Sequence, residues 1–203
     1  MLTRLKEKVQ QMLSAEAAAA HRLGLTPNMI SGIGMAFALL SAINYIAWQI
    51  NTIYILVATV LLLLSGFCDA LDGIVARIHQ KSTTFGGFLD SLLDRYADAA
   101  VYAGIIVAGL CDVLWGLLAV IGSLLVSYSR ARAEAAGIRM ESVGFAERAE
   151  RIIILVSAGI LAYLWEPRTV LNAAVILLAF LSNLTVLQRA LHVYMKTKKK
   201  EIS

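Results

Sequence analysis

The sequence predicts an all-α, polytopic membrane protein with six transmembrane helices, an N-terminal amphipathic surface helix and both termini in the cytoplasm. Three observations predict it. Of the 203 residues, 59% are hydrophobic and only 16% are charged, whereas a soluble domain is about half apolar and a quarter charged. The mean hydropathy is +0.74. Finally, Lys and Arg gather at alternate ends of the apolar segments, as they do in membrane proteins.

The first element is an amphipathic juxtamembrane helix predicted over residues 1–22. Apolar residues from Met1 to Leu13 recur near the helical period, with Arg4, Lys6 and Lys8 elsewhere, which is typical of a helix lying on the membrane surface. The segment starts with mixed charge and has no continuous apolar core, unlike a secretory signal. A solvated amphipathic tail is the alternative.

Six segments follow that are long and apolar enough to cross a bilayer, which takes roughly 20 residues. They are predicted at 29–50, 53–77, 85–110, 113–134, 147–166 and 169–194. The chain therefore divides into the juxtamembrane helix, a six-helix transmembrane domain over 23–195 and a basic cytoplasmic tail over 196–203.

Basic residues predict the orientation. They precede the first span, separate spans two and three, separate spans four and five, and follow span six, whereas the opposite turns carry only Arg168. The positive-inside rule therefore predicts a multi-pass protein of the cell membrane with this loaded side in the cytoplasm. The net charge of +4 reflects this asymmetry and attraction to anionic lipid headgroups. No aromatic-interleaved basic module indicates nucleic-acid binding.

One acidic stretch, residues 67–98, interrupts the apolar pattern. A carboxylate in hydrocarbon costs at least about 2.5–3.5 kcal/mol, so such residues are functional candidates. The i,i+3 and i,i+4 spacings place them on single faces of two helices, and the short loop 78–85 brings these helices together. The residues are Asp69, Asp72, Asp90, Asp94 and Asp98.

Converging carboxylates need a cation to remain ionised. Oxygen ligands without clustered His or Cys favour Mg²⁺ or Mn²⁺. For any single aspartate, a helix cap or an ion pair with Arg77 or Arg95 is an equally good interpretation, but these do not explain the whole set.

The acidic stretch matches the pattern D-x2-D-G-x2-A-R-x8-G-x3-D-x3-D at every fixed position. The matching residues are Asp69, Asp72, Gly73, Ala76, Arg77, Gly86, Asp90 and Asp94. This resembles the signature of the CDP-alcohol phosphotransferase family. The resemblance implies transfer of the lipid-phosphoryl group of a CDP-lipid to an alcohol, with release of CMP, and implies a homodimer.

The resemblance also implies roles for individual residues. The four signature aspartates would hold two Mg²⁺ or Mn²⁺ ions, and Asp94 would be the catalytic base. The alternative to a CDP-lipid contact for Asn28 and Ser31 is a purely structural role, in a proline turn and a helix N-cap. The implied CDP-lipid contacts are Asn28, Ser31, Asp69, Gly73, Ala76, Arg77 and Thr83.

Two further segments, 127–139 and 144–154, together with Gln188-Arg189, resemble the branch of this family that uses inositol phosphate. Arginine binds phosphate in planar, often bidentate geometry. The alternative is that these arginines only enforce topology and bind membrane lipids. The implied acceptor phosphate ligands are Ser127, Arg130, Arg132, Arg148, Arg151 and Arg189.

Three positions depart from the branch: Arg130 replaces lysine, Ala149 replaces proline and Asn28 replaces aspartate. They weaken the case for CDP-diacylglycerol as donor and slightly favour CDP-archaeol. The nearest rival function is the same chemistry with glycerol 3-phosphate as acceptor. A divalent-cation transporter is more remote, because the polar residues cluster at one end of the predicted spans. A scaffold without catalysis would leave the buried acids unexplained.

Overall fold

The computed structural model describes residues 14–78, 83–140 and 143–202, and these contain α-helices, one 3₁₀ turn and no strand. The first part of the predicted surface helix, residues 1–13, lies outside the described residues, and Ser14–Arg22 forms α1. The other helices are α2 (Pro27–Ile46, extended by the turn Ala47–Gln49), α3 (Ile53–Ile78), α4 (Thr84–Val107), α5 (Val113–Ala135), α6 (Arg148–Leu164) and α7 (Pro167–Ile202).

The six predicted apolar segments correspond one by one to α2–α7, and most boundaries agree within three residues. The largest difference is α7, which continues through the predicted basic tail to Ile202. Four helices, α2, α3, α5 and α7, are long and apolar enough to cross a membrane. The 17-residue α6 is shorter than a typical span, and α4 carries Asp90, Asp94, Arg95 and Asp98.

The helices α2–α7 form a closed ring. Going around it, α2 packs on α3, α3 on α6, α6 on α7, α7 on α5, α5 on α4, and α4 back on α2, while α1 lies against α3. Successive helices run in opposite directions. One end of the ring therefore carries the starts of α2, α4 and α6 together with the ends of α3, α5 and α7.

The opposite end of the ring is held by a few polar contacts. The indole Nε1 of Trp48 donates to the carbonyl of Ala108 at 2.9 Å, joining the ends of α2 and α4. The Asn172 amide donates to Asp112 at 3.1 Å, joining the starts of α7 and α5. These contacts fix neighbouring helices to one another at this end, which stabilises the arrangement of the helices at the other end of the ring.

Small residues permit close helix contacts in the ring. A Cβ on Gly104 of α4 would come within 2.8 Å of the Ala42 backbone of α2, and one on Gly34 within 3.0 Å of the Cys68 side chain of α3. Both glycines therefore serve contacts inside the chain, where small residues let helix backbones approach. A Cβ on Gly32, in contrast, would meet nothing within 4 Å.

Candidate active site

Three of the predicted metal ligands converge at the end of the ring where α3 ends and α4 begins. Asp69 and Asp72 lie one turn apart on α3, Asp90 lies near the start of α4, and one oxygen from each falls within 4.8 Å of the others. Asp72 is buried, with only 4% of its surface exposed. Three hard oxygen donors at this separation fit a magnesium or manganese ion.

The start of α2 completes this side of the site. Its first turn is capped by Thr26, whose hydroxyl accepts from the Met29 backbone N–H at 3.3 Å, with Pro27 in the first turn. Ser31 then lies one turn further along and donates its hydroxyl to Asp72 at 2.5 Å. Ser31, a predicted CDP-lipid contact, is thus brought directly to the carboxylates.

The side chains of Asn28 and Thr83 both lie close to Gly86 at the start of α4. The Thr83 hydroxyl caps α4 by accepting from the Gly86 backbone N–H at 2.9 Å. A Cβ at position 86 would come within 2.9 Å of that hydroxyl and within 3.0 Å of the Asn28 side-chain oxygen. The signature glycine is therefore needed for this approach, which places both predicted contacts at the same corner.

The remaining predicted CDP contacts lie on the last turns of α3. Arg77 is exposed and Ala76 is half-buried. A Cβ on Gly73 would meet only the tip of the Arg77 side chain, at 3.8 Å. This stretch of α3 is therefore open enough for a ligand to approach the helix backbone. The adjoining residues 79–82 of the predicted loop lie outside the described part of the chain.

Asp94, the fourth predicted ligand, lies one turn beyond Asp90 and contacts Arg148 of α6. The guanidinium Nη1 of Arg148 lies 2.6 Å from Asp94 and 2.8 Å from Asp69. Its N–H bonds point at neither oxygen, so this buried nitrogen has charge contacts but no hydrogen bond. The Arg148 guanidinium therefore supplies positive charge between Asp69 and Asp94, which offsets the repulsion between these two carboxylates.

Asp98 is a further, partly buried acid, with a side chain 14% exposed. The sequence placed it in the acidic cluster but not among the site residues, because the signature ends at Asp94. Asp98 accepts from Arg151 at 2.6 Å, from Ser123 at 3.0 Å and from Arg148 Nε at 3.2 Å. Its i,i+4 spacing from Asp94 was the available signal. Asp98 therefore holds two arginines of α6 in place.

A cavity of about 230 Å³ opens beside Asp94 and Asp98, between α4, α5, α6 and α7. Five of the six predicted phosphate ligands line it: Ser127, Arg130, Arg148, Arg151 and Arg189. The sixth, Arg132, does not line it and is exposed. Side chains two positions apart on an α-helix differ in direction by roughly 200°, so Arg130 and Arg132 point to nearly opposite sides of α5. Arg95 and Glu147 also line the cavity and were missed by the sequence reasoning.

Two of the cavity arginines are anchored by backbone carbonyls. Arg151, 3% exposed, donates to the carbonyl of Ala146 at 2.9 Å. Arg189, 2% exposed, donates to the carbonyl of Val143 at 2.9 Å and also to that of Val126. Because carbonyls and Asp98 orient them, these cations keep their places at the cavity wall without a ligand.

The family model for CDP-alcohol phosphatidyltransferase matches residues 24–187 of this chain. The archaetidylinositol phosphate synthase of Methanothermobacter thermautotrophicus is 42% identical over 179 residues, covering 88% of each chain.

Solved structures of Mycobacterium tuberculosis phosphatidylinositol phosphate synthase share the fold. One, with CDP-DAG bound, superposes with a TM-score of 0.76 at 28% identity, covering 91% of this chain and 94% of the other. Another, in complex with manganese and citrate, has a TM-score of 0.76 at 29% identity, covering 90% of this chain and 88% of the other.

Proposed function

Because the chain belongs to the CDP-alcohol phosphatidyltransferase family, we propose that it transfers the lipid-phosphoryl group of a CDP-lipid to inositol phosphate, releasing CMP. The chain is thus a metal-dependent transferase. The observation that carries the choice of acceptor is the arginine-lined cavity beside Asp94. The names of the relatives support the same acceptor.

The charge of the cavity suits a phosphorylated acceptor. Five arginines and three carboxylates line it, which leaves a net charge of +2. A phosphate monoester carries a charge of about −1.5 to −2 at neutral pH. Free inositol has no anionic group to pair with these cations, and serine has one carboxylate whose charge is balanced by its own ammonium group. Arginine pairs with phosphate in planar, bidentate geometry.

In the proposed mechanism, Asp94 joins the donor and acceptor sides. It borders the acceptor cavity and also a narrow cleft shared with Asp69 and Asp72. Asp94 takes the proton of the acceptor hydroxyl, whose oxygen then bonds to the lipid-bearing phosphorus as the bond to the CMP phosphate breaks. The arginines of α5, α6 and α7 orient the acceptor by its phosphate.

The donor side uses the residues at the end of α3 and the starts of α2 and α4. Asp69, Asp72, Asp90 and Asp94 would hold two divalent ions, which supply charge neutralisation of the diphosphate and of the departing CMP. Ser31 positions Asp72. The exposed or open positions that would contact the CDP moiety are Asn28, Gly73, Ala76, Arg77 and Thr83.

We propose CDP-archaeol as the donor in preference to CDP-diacylglycerol. The archaetidylinositol phosphate synthase is 42% identical to this chain over 179 residues, whereas the phosphatidylinositol phosphate synthase of Mycobacterium tuberculosis is 34% identical over 184 residues. Either lipid would enter sideways, between helices whose outward faces carry exposed apolar side chains.

All six helices α2–α7 are proposed to span the cell membrane, with the active site and both termini facing the cytoplasm. The basic residues at the functional end of the ring support this orientation. We also propose that the chain divides into three parts, with boundaries at residues 22 and 195, and that it forms a homodimer. Labelling of single cysteines placed at the two ends, and the mass of the detergent-solubilised protein, would test them.

The deciding experiment is CMP release by the purified protein with Mg²⁺ and either CDP-archaeol or CDP-diacylglycerol. Inositol phosphate, glycerol 3-phosphate, free inositol and serine are compared as acceptors. We expect release with inositol phosphate alone, abolished by Asp94→Asn. Asp112→Asn, which makes the same change at the opposite end of the ring, is the control and should retain activity. Release with glycerol 3-phosphate alone would keep the transferase and refute the acceptor.

A further inference from the structure

Glu147 lines the acceptor cavity and has no role in the proposed transfer. It is the residue immediately before α6, and its carboxylate caps no backbone N–H of that helix. Its side chain is 34% exposed. A capping hydrogen bond therefore does not account for this carboxylate.

The other two carboxylates of the cavity either accept hydrogen bonds or have a role in the proposed transfer. Asp98 accepts from Arg151, Ser123 and Arg148, and Asp94 contacts Arg148. Across residues 14–78, 83–140 and 143–202, the Glu147 carboxylate accepts no hydrogen bond from any donor. Among the three carboxylates of the cavity wall, Glu147 is therefore the one that is used neither by an arginine hydrogen bond, as Asp98 is, nor by the proposed chemistry, as Asp94 is.

Glu147 is not needed to hold its nearest cation. The Arg189 Nη2 atom lies 3.8 Å from Glu147, which is longer than a hydrogen bond. Arg189 already donates to the carbonyls of Val143 and Val126. A carboxylate at this place also repels an anionic ligand. In a cavity that binds phosphate alone, Glu147 would weaken ligand binding, and its contact with Arg189 would supply only charge balance.

Hydroxyl groups on the bound ligand would explain the position of Glu147 at the cavity wall. Every hydroxyl of a polyol carries an O–H donor, and an ionised carboxylate is an acceptor-only group with roughly four lone-pair sites. The arginines around the cavity offer donors but no acceptors. We propose that Glu147 binds the ring hydroxyls of the phosphorylated acceptor and thereby selects a polyhydroxylated phosphate ester over a smaller one. This inference rests on the proposed function and names the specificity residue of its acceptor site.

The test compares Glu147→Gln and Glu147→Ala with wild type for CMP release at varied inositol phosphate. Inorganic phosphate and glycerol 3-phosphate are measured as competitive inhibitors. Because hydrogen bonds to charged acceptors are stronger than neutral ones, we expect the KM for inositol phosphate to rise about fivefold in Glu147→Gln and about 10- to 100-fold in Glu147→Ala. The kcat should change little. Glu150→Gln, which removes the same charge from the same turn without lining the cavity, should leave KM unchanged.

The inhibitors separate hydroxyl recognition from charge balance. Removing a carboxylate should leave inorganic phosphate inhibition unchanged or stronger, and should affect glycerol 3-phosphate less than inositol phosphate. If inositol phosphate binds equally well or more tightly in both variants, Glu147 acts only as a counter-charge and the inference is overturned. The isosteric Glu147→Gln carries the test if Glu147→Ala does not fold. A wild-type protein that does not use inositol phosphate overturns the proposed function itself.

Discussion

Replacing Asp98 with asparagine removes the charge that pairs with the buried Arg151 and the partly buried Arg148. Asp98 and Arg151 are joined at 2.6 Å with side chains 14% and 3% exposed, and Arg148 Nε lies 3.2 Å away on the other oxygen. Removing one partner of a buried pair costs about 3–5 kcal/mol, because the other charge stays buried and unpaired. Asparagine still accepts one hydrogen bond, so we expect a loss of about 3 kcal/mol.

The free energy of unfolding is measured in detergent micelles for wild type, Asp98→Asn, Arg151→Met and the double variant. The double variant should be less destabilised than the sum of the two single variants by about 0.5–3 kcal/mol. The reason is that it removes both charges of the Asp98–Arg151 pair, whereas each single variant leaves one of them unpaired. Ser123→Ala, which removes only a neutral donor to the same carboxylate, should cost about 1 kcal/mol.

The KM for the acceptor should rise together with the loss of stability, because Arg148 and Arg151 both line the cavity. A loss below about 1 kcal/mol for Asp98→Asn, or strictly additive effects in the cycle, would refute the view that Asp98 organises these arginines. Glu134→Gln serves as the exposed control: it breaks an i,i+4 pair with Arg130 whose side chains are 45% and 46% exposed, and such pairs contribute only about 0.3–0.5 kcal/mol.

Three other predictions follow from single contacts. Asp90→Asn removes one of three converging oxygens. Loss of a residue that only supports a metal ligand weakens metal binding about 10- to 100-fold, so loss of a direct ligand should weaken Mn²⁺ binding, measured by calorimetry, at least about tenfold. Unchanged Mn²⁺ binding would contradict the role of this cluster as a metal site. Arg130→Ala should raise the acceptor KM more than Arg132→Ala, because only the first lines the cavity; equal effects would contradict this placement. Gly104→Ala should destabilise by about 1–3 kcal/mol through overlap with α2, while Gly32→Ala, with open space around it, should not.

The helices, and the convergence of three of the four predicted metal ligands, could be predicted from local sequence. Asp69, Asp72 and Asp90 converge as expected, because i,i+3 spacing and a short connection leave two adjacent antiparallel helices few arrangements. The surroundings of Asp94 could not be predicted in the same way. Its contact with Arg148 joins residues of α4 and α6 that are far apart in the chain, and no periodicity encodes such a pair.

The same limit applies to the cavity. A run of arginines indicated an anionic ligand, but the sequence did not distinguish Arg130 from Arg132, because the direction of a side chain depends on how its helix is rotated in the ring. Glu147 was given no site role although it lies in the segment 144–154, and Arg95 was considered only as an ion-pair partner, because a charge beside other charges has no distinctive spacing.

Local sequence was enough to predict the helices, apart from the end of α7, as well as the acidic cluster and the family resemblance, because these depend on hydrophobic periodicity and on residues close together in the chain. Which arginines contact which aspartates depends on the packing of helices that are distant in the chain. Closing the ring brings the start of α6 and the end of α7 against α4 and α5, and it creates the cavity beside Asp94. The physical reason is that packing between distant helices sets side-chain directions, whereas local spacing only sets which residues share a helix face.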